Sequence, residues 1–249
     1  MSDRFPSWMA ALEKRHLARL TFPEVRRALQ ALSSLYVERR GQLAQGAAFD
    51  GAGKRAAFAL YYGPLHFLAV RAVVEALGAH QPPPTRILDL GCGTGAAGAA
   101  WADAAGGAPS VEGVDRSAWA ADEARFTFAA LRLAGASFRR GLEDAALPGR
   151  GGAIVAAFTV NELDDAGRER LRPRLLEAAR AGAAVLVVEP IARRSAPWWE
   201  GWATAFREAG GRADEWRFPI RLPELVARLD RAAGLDHREL TARSLWLRR

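Results

Sequence analysis

Apolar residues recur at threes and fours through the first third of the chain. Trp8, Met9, Leu12, His16, Leu17 and Leu20 form one such series, and Val25, Leu29, Leu32 and Leu35 form another. That spacing lines one face of an α-helix, so the stretch from Pro6 to about Leu77 is expected to be helical. A further helical run covers Phe58 to Leu77 and is interrupted near Gly63-Pro64. Gln81-Pro82-Pro83-Pro84 then marks a boundary, because consecutive prolines exclude helix and favour extended chain. Residues 1–80 are therefore expected to form an N-terminal helical cap, and residues 81–249 a second domain.

Beyond the prolines, short apolar runs alternate with longer amphipathic ones. Strands are expected over 86–90, 111–114, 136–140, 153–159 and 183–188, and helices over 96–105, 117–133, 162–180, 196–209 and 222–233. This βα alternation predicts an α/β fold, a mostly parallel sheet covered by helices on both faces. Trp198, Trp202 and Phe206 read as the buried stripe of one of those helices. Asp236 to Arg248 reads equally as one strand or as a hairpin, and the run from Gly210 to Phe218 has no assigned role.

Composition narrows the setting. A chain of 249 residues that is 50% hydrophobic can bury a substantial core. No apolar stretch is read as approaching the roughly 18 residues that span a bilayer. Asp3, Arg4, Glu13, Lys14 and Arg15 break any signal-peptide core. Cys92 is the single cysteine, which excludes an intrachain disulfide and a cysteine metal cage. A cytoplasmic protein without membrane or metal is expected. The net charge is +7, most of it in the first third, and lysine occurs only at Lys14 and Lys54, so arginine carries nearly all the positive charge. This is compatible with RNA binding and equally with biased genome composition.

The chemistry concentrates in Ile87-Leu88-Asp89-Leu90-Gly91-Cys92-Gly93-Thr94-Gly95, an apolar strand ending in glycines at alternate positions. Such a turn leads into the Ala-rich helix that follows and presents backbone N–H groups to a nucleotide. Gly91-x-Gly93-x-x-Ala96 also meets the loose dinucleotide pattern. Asp89, two residues before the first glycine, favours instead a ligand with positive charge, such as the ammonium and sulfonium of S-adenosylmethionine (SAM). Val111-Glu112-Gly113-Val114-Asp115 is a second strand ending in an acid placed to bind ribose hydroxyls.

On these residues the chain resembles the class I SAM-dependent methyltransferases, whose first motif has the form D-x-G-x-G-x-G. The resemblance implies a Rossmann-like sheet, SAM as cofactor, and cofactor contacts from Asp89, Gly91, Cys92, Gly93, Gly95, Asp115 and Arg116. It further implies an acid for the adenine after the third strand, where Glu143 and Asp144 are the candidates. Asn161, after the fourth strand, falls where the family contacts cofactor and methyl acceptor, and an Asn carbonyl can orient an amine. Thr159-x-x-Glu162 equally matches a helix capping box, with Asn161 itself a good N-cap. In the cap, Tyr62 could lie over the cofactor, and His66 could serve as a general base.

Arg193-Arg194 followed by Pro197-Trp198-Trp199 could grip phosphates and stack on bases. The basic cap, Asn161-Glu162-Leu163 and Glu189-Pro190 resemble the methyltransferase-like proteins of the small ribosomal subunit, although the cysteines of their iron–sulfur cluster are absent here. The acceptor implied is small-subunit ribosomal RNA. A small-molecule acceptor, or a non-catalytic ribosome assembly factor retaining the SAM fold, are the alternatives.

Overall fold

A computed structural model of the chain describes residues 4–38, 49–191 and 196–248. Four helices come first: α1 (Arg4–His16), α2 (Phe22–Glu38), α3 (Ala52–Ala57) and α4 (Gly63–Ala76), with a π-helical turn at Phe58–Tyr62 joining the last two. Then follow β1 (Arg86–Leu90), α5 (Ala96–Ala104), β2 (Ser110–Asp115), α6 (Ala118–Ala130), β3 (Gly135–Arg139) and β4 (Ala153–Ala157). A 3₁₀ turn at Val160–Glu162 leads to α7 (Asp165–Arg180), β5 (Ala184–Glu189), α8 (Trp199–Glu208), β6 (Arg212–Pro219), α9 (Glu224–Ala232) and β7 (Glu239–Leu247).

The strands form one seven-stranded sheet in the order β3-β2-β1-β4-β5-β7-β6. Strands β1 to β5 are parallel, and β7 runs antiparallel to both neighbours. The expected α/β architecture is thus present, and the chain direction reverses about β1, the arrangement in which ligands bind beyond the strands' carboxyl ends.

Side-chain alternation divides the core between the two faces. Ile87, Val111, Val155, Leu186 and Ala242 meet the N-terminal helices together with α5, α6 and α9. Leu88, Leu90, Ile154, Val185, Val187 and Leu245 meet α7 and α8. Trp8 of α1 is fully buried beside Phe5 and Phe67, so the N-terminal helices share one core with the sheet. His16, read as part of an apolar stripe, instead bonds the buried Glu123 carboxylate of α6 at 2.7 Å.

Two stretches left open by the sequence are assigned, and two expectations are corrected. The run Gly210 to Phe218 supplies β6, an edge strand charged along its first half, with Trp216 and Phe218 packed against the core at its end. Asp236 to Arg248 contributes one strand rather than a hairpin. Helix α7 starts later than expected and is capped by Asp164, whose side chain accepts the Gly167 N–H at 2.7 Å, so the Thr159–Glu162 capping box does not form. Ala52–Ala76 is also long and apolar enough to cross a bilayer by composition, contrary to the reading of the sequence, yet 78% of its apolar window is buried inside the protein.

The glycine turn after β1 is shaped by two different constraints. Gly91 has φ +65°, and a Cβ there would lie 2.3 Å from Thr159 Cγ2; Gly93 has φ +52° but its nearest obstacle is Phe58, at 3.7 Å. Gly91→Ala is expected to lose about 2–4 kcal/mol, left-handed strain and overpacking together, and Gly93→Ala only about 1–2 kcal/mol. Urea unfolding of the two variants checks this, and equal losses would mean that Thr159 simply moves aside.

Candidate active site

The carboxyl ends of β1, β2, β4 and β5 converge on the glycine turn. Gly91 and Cys92 both donate their N–H groups to Val114 O, at 2.9 and 3.0 Å, tying the turn to β2. Asp115, at the end of β2, accepts the Gly93 N–H at 3.0 Å on one oxygen and the Ser117 N–H at 2.8 Å on the other. Thr159, just past β4, lies with its hydroxyl 3.2 Å from Gly91 O and 3.1 Å from Ala157 O, and donates to these carbonyls. The turn is therefore held from both sides.

Four carboxyls stand around this turn, and burial raises the pKa of each. Asp89 is pushed up to about 7 by burial and by the nearby Asp115 charge, against the lowering effect of the Gly98 N–H. Asp115 is also raised, chiefly by burial. Glu162 rises to about 7, through burial and then repulsion from Asp115. Glu189 is fully buried and rises to about 8, although its Oε1 accepts the Asn161 N–H at 3.1 Å. Carboxyls repelling one another in a desolvated site favour a cationic ligand, which would restore their ionised forms.

Above the turn lies an aromatic roof supplied by the N-terminal segment. Phe58 of the π-helical turn stands over Gly93 and packs against Tyr62 and Phe49, and Phe49 against Trp119. His66 stacks on Phe158, with ring centroids 4.0 Å apart and planes 16° apart. Phe158 holds φ +58°, unusual for a bulky residue and a form of strain found at ligand sites. The roof is anchored by Tyr62, whose hydroxyl lies 3.1 Å from Ser33 Oγ, and by Tyr61, which donates to Asp230 of α9.

The structure gathers some expected site residues and turns others away. Gly91, Gly93, Gly95, Asp115, Tyr62, His66 and Asn161 all border the site. Arg116 is exposed, close enough to Asp115 and Glu162 to lower both pKa values. Asp89 is corrected: it shares the strand face of Ile87, is 1% exposed, and accepts the Gly98 N–H of α5 at 2.8 Å, which makes it an anchor for that helix. Cys92 is likewise corrected, its sulfur turned into the core where a Cβ on Gly113 would lie 2.8 Å away.

His66 as a general base is corrected too. Burial among the rings lowers its pKa to about 3, leaving a neutral ring that packs. Glu143 and Asp144 are exposed on the turn after β3, and no hydrogen bond among the described residues joins either to the glycine turn. Asn161 accepts the Trp198 indole N–H at 3.0 Å on its side-chain oxygen. Arg193 and Arg194 lie outside the described residues.

Reading the sequence missed Thr159 as a clamp, Phe158 as a ring in the site, and Glu189 as the support under Asn161. Only Glu189 carried a signal, an acid closing an apolar strand. A cavity of about 320 Å³, lined by Pro82, Pro83, Arg150, Arg180 and Arg248, lies at the opposite ends of the strands, away from all these groups.

No protein-family model matches the chain, and no curated protein matches it. Solved structures do. The plantazolicin methyltransferase BpumL in complex with S-adenosylhomocysteine (SAH) aligns with a TM-score of 0.52 at 12% identity, covering 96% of this chain and all of that one. Magnesium protoporphyrin IX methyltransferase from Synechocystis PCC 6803 gives 0.47 at 15% identity, over 89% and 97% of the two chains. A Pyrococcus horikoshii protein provisionally named an RNA methyltransferase gives 0.46 at 16%, over 73% and 83%. Together with the strand order and the glycine turn, the alignment with BpumL shows that this chain has the Rossmann-like fold of the class I SAM-dependent methyltransferases.

Proposed function

We propose that this chain is a SAM-dependent methyltransferase whose acceptor is a small molecule. The observation that carries the acceptor class is an aromatic roof, from Phe58, Tyr62 and His66, lying over a site lined with buried carboxyls. Aromatic walls and buried acids suit a compact apolar or basic acceptor, whereas they repel the phosphates of RNA. Arg71, Arg125, Arg168, Arg172, Arg180 and Arg212 are paired with acids, so those six lend RNA binding little support.

The site's residues fit the cofactor. Gly93 has no side chain, and the group nearest to where a Cβ would stand is the Phe58 ring, at 3.7 Å, so a nucleoside would reach the backbone alongside that ring. Each Asp115 oxygen accepts one N–H and keeps lone-pair capacity for ribose hydroxyls. With the ribose at β2, the charged amino-acid end would extend across β1 towards the turn after β4. When bound, SAM supplies an electrophilic methyl group on a sulfonium. The protein's part is orientation and exclusion of water: the roof covers the glycine turn, and the Asn161 turn, braced by Glu189 and Trp198, faces the acceptor side.

Asp115→Ala is expected to weaken SAM binding by about 1.5–3 kcal/mol, the scale of hydrogen bonds to a charged group. Calorimetry checks this, and an unchanged affinity would remove Asp115 from the site. The acceptor class is tested by incubating the purified protein and methyl-labelled SAM with an extract of cells lacking the protein. Label is expected in the small-molecule fraction. Label in ribosomal RNA would overturn the small-molecule reading, and SAM binding without label in any fraction would favour an assembly factor.

A further inference from the structure

The turn after β4 is rigidly mounted and presents one side chain without a partner among the described residues. Val160 is buried, and Asn161 is held through both its backbone N–H and its side-chain oxygen. The Arg168 guanidinium donates to Leu163 O and, at 3.3 Å, to Val160 O, and it pairs with Asp165. Glu162, half-buried on the same turn, has no hydrogen-bonding or ion-pairing partner among the described residues. A desolvated carboxyl without a partner is unfavourable unless something charged or polar meets it.

The groups around Glu162 leave a surplus of acids. Asp115 and Arg116 face it from the end of β2, and Glu189 faces it from the end of β5. Behind Glu189 lies Arg243 of β7, buried, with its guanidinium 4.1 Å over the Trp199 ring. Glu189 adds an independent sign of an incomplete site, because it is fully buried and its Oε2 has no hydrogen-bond partner among the described residues.

Building on the SAM reading above, we infer that Glu162, supported by Asp115 and Glu189, is a specificity residue that reads the positive charge on the cofactor's sulfur, so that the site holds the charged methyl donor and releases the neutral thioether product. SAM and SAH share adenine, ribose and ammonium groups and differ by one methyl and one charge, so the part of their affinity difference that Glu162→Gln removes isolates that charge. Burial and mutual repulsion keep protons on Glu162 and Glu189 near neutral pH. A cation placed beside them favours the ionised forms, so those carboxyls shed protons when SAM binds and keep them when SAH binds. Raising the pH removes the protons in advance, so affinity for SAM should climb between about pH 6 and 8 while affinity for SAH stays level.

The test is calorimetric titration of the full chain and of Glu162→Gln with SAM and with SAH, at pH 6, 7 and 8, in buffers of different ionisation enthalpy. The wild-type protein should prefer SAM by about tenfold or more at pH 8, with a smaller preference at pH 6 and proton release with SAM alone. Glu162→Gln should lose about tenfold in SAM affinity and keep SAH affinity within about twofold, the retained SAH binding also showing that the variant is folded. Equal weakening of both ligands, an unchanged SAM preference, or equal proton release would overturn the assignment of Glu162. Failure of both ligands to bind the wild-type protein would overturn the cofactor reading itself.

Discussion

The site depends on how a backbone turn without side chains is kept in a left-handed path. Three glycines at positive φ between β1 and α5 would be loose if left to themselves, since glycine has the most conformational freedom to lose. Two short side chains remove that freedom. Asp115 accepts the Gly93 N–H from the β2 side, and Thr159 reaches Gly91 O from the β4 side. Both come from the carboxyl ends of strands adjacent to β1, so the parallel register of the sheet places them without further help. Everything ascribed to the site, from the approach over Gly93 to the position of the roof, assumes that this turn is already shaped.

Carboxyls crowd the same region, and desolvation opposes their charge. Asp89 is partly relieved by the Gly98 N–H and Glu189 by the Asn161 N–H, yet both stay well above the usual carboxylate range. Hydrogen bonds thus offset only part of the burial penalty. A protein that needed these groups only for packing would be better served by apolar residues. For Asp89 the helix α5 N–H is the compensation, whereas Glu162 and Glu189 would be relieved by a cation beside them.

The sheet was legible because parallel strands buried on both faces read as short apolar runs, and the turn because its glycines lie where no other residue fits. Asp115 was legible as an acid closing a strand. Asp89 was misread although its alternation was available: it lies two residues from Ile87, so it shares the face covered by α5. Strand β6 was illegible because an edge strand can be charged on both sides. The start of α7 was ambiguous in principle, since Asn161 and Asp164 are equally good caps and a 3₁₀ turn decided between them. The neutral state of His66 and the strained backbone of Phe158 arise from a tertiary stack between residues distant in the chain, and no local pattern announces them.

The central claim is that the glycine turn, Asp115 and the Glu162 turn together form a SAM site. A crystal structure of the protein grown with SAH tests it most directly. We expect the nucleoside beside Gly93, ribose hydroxyls on the Asp115 carboxylate, and the sulfur directed towards the turn that carries Glu162. Ligand bound elsewhere, or bound at the turn with its ribose away from Asp115, would contradict it.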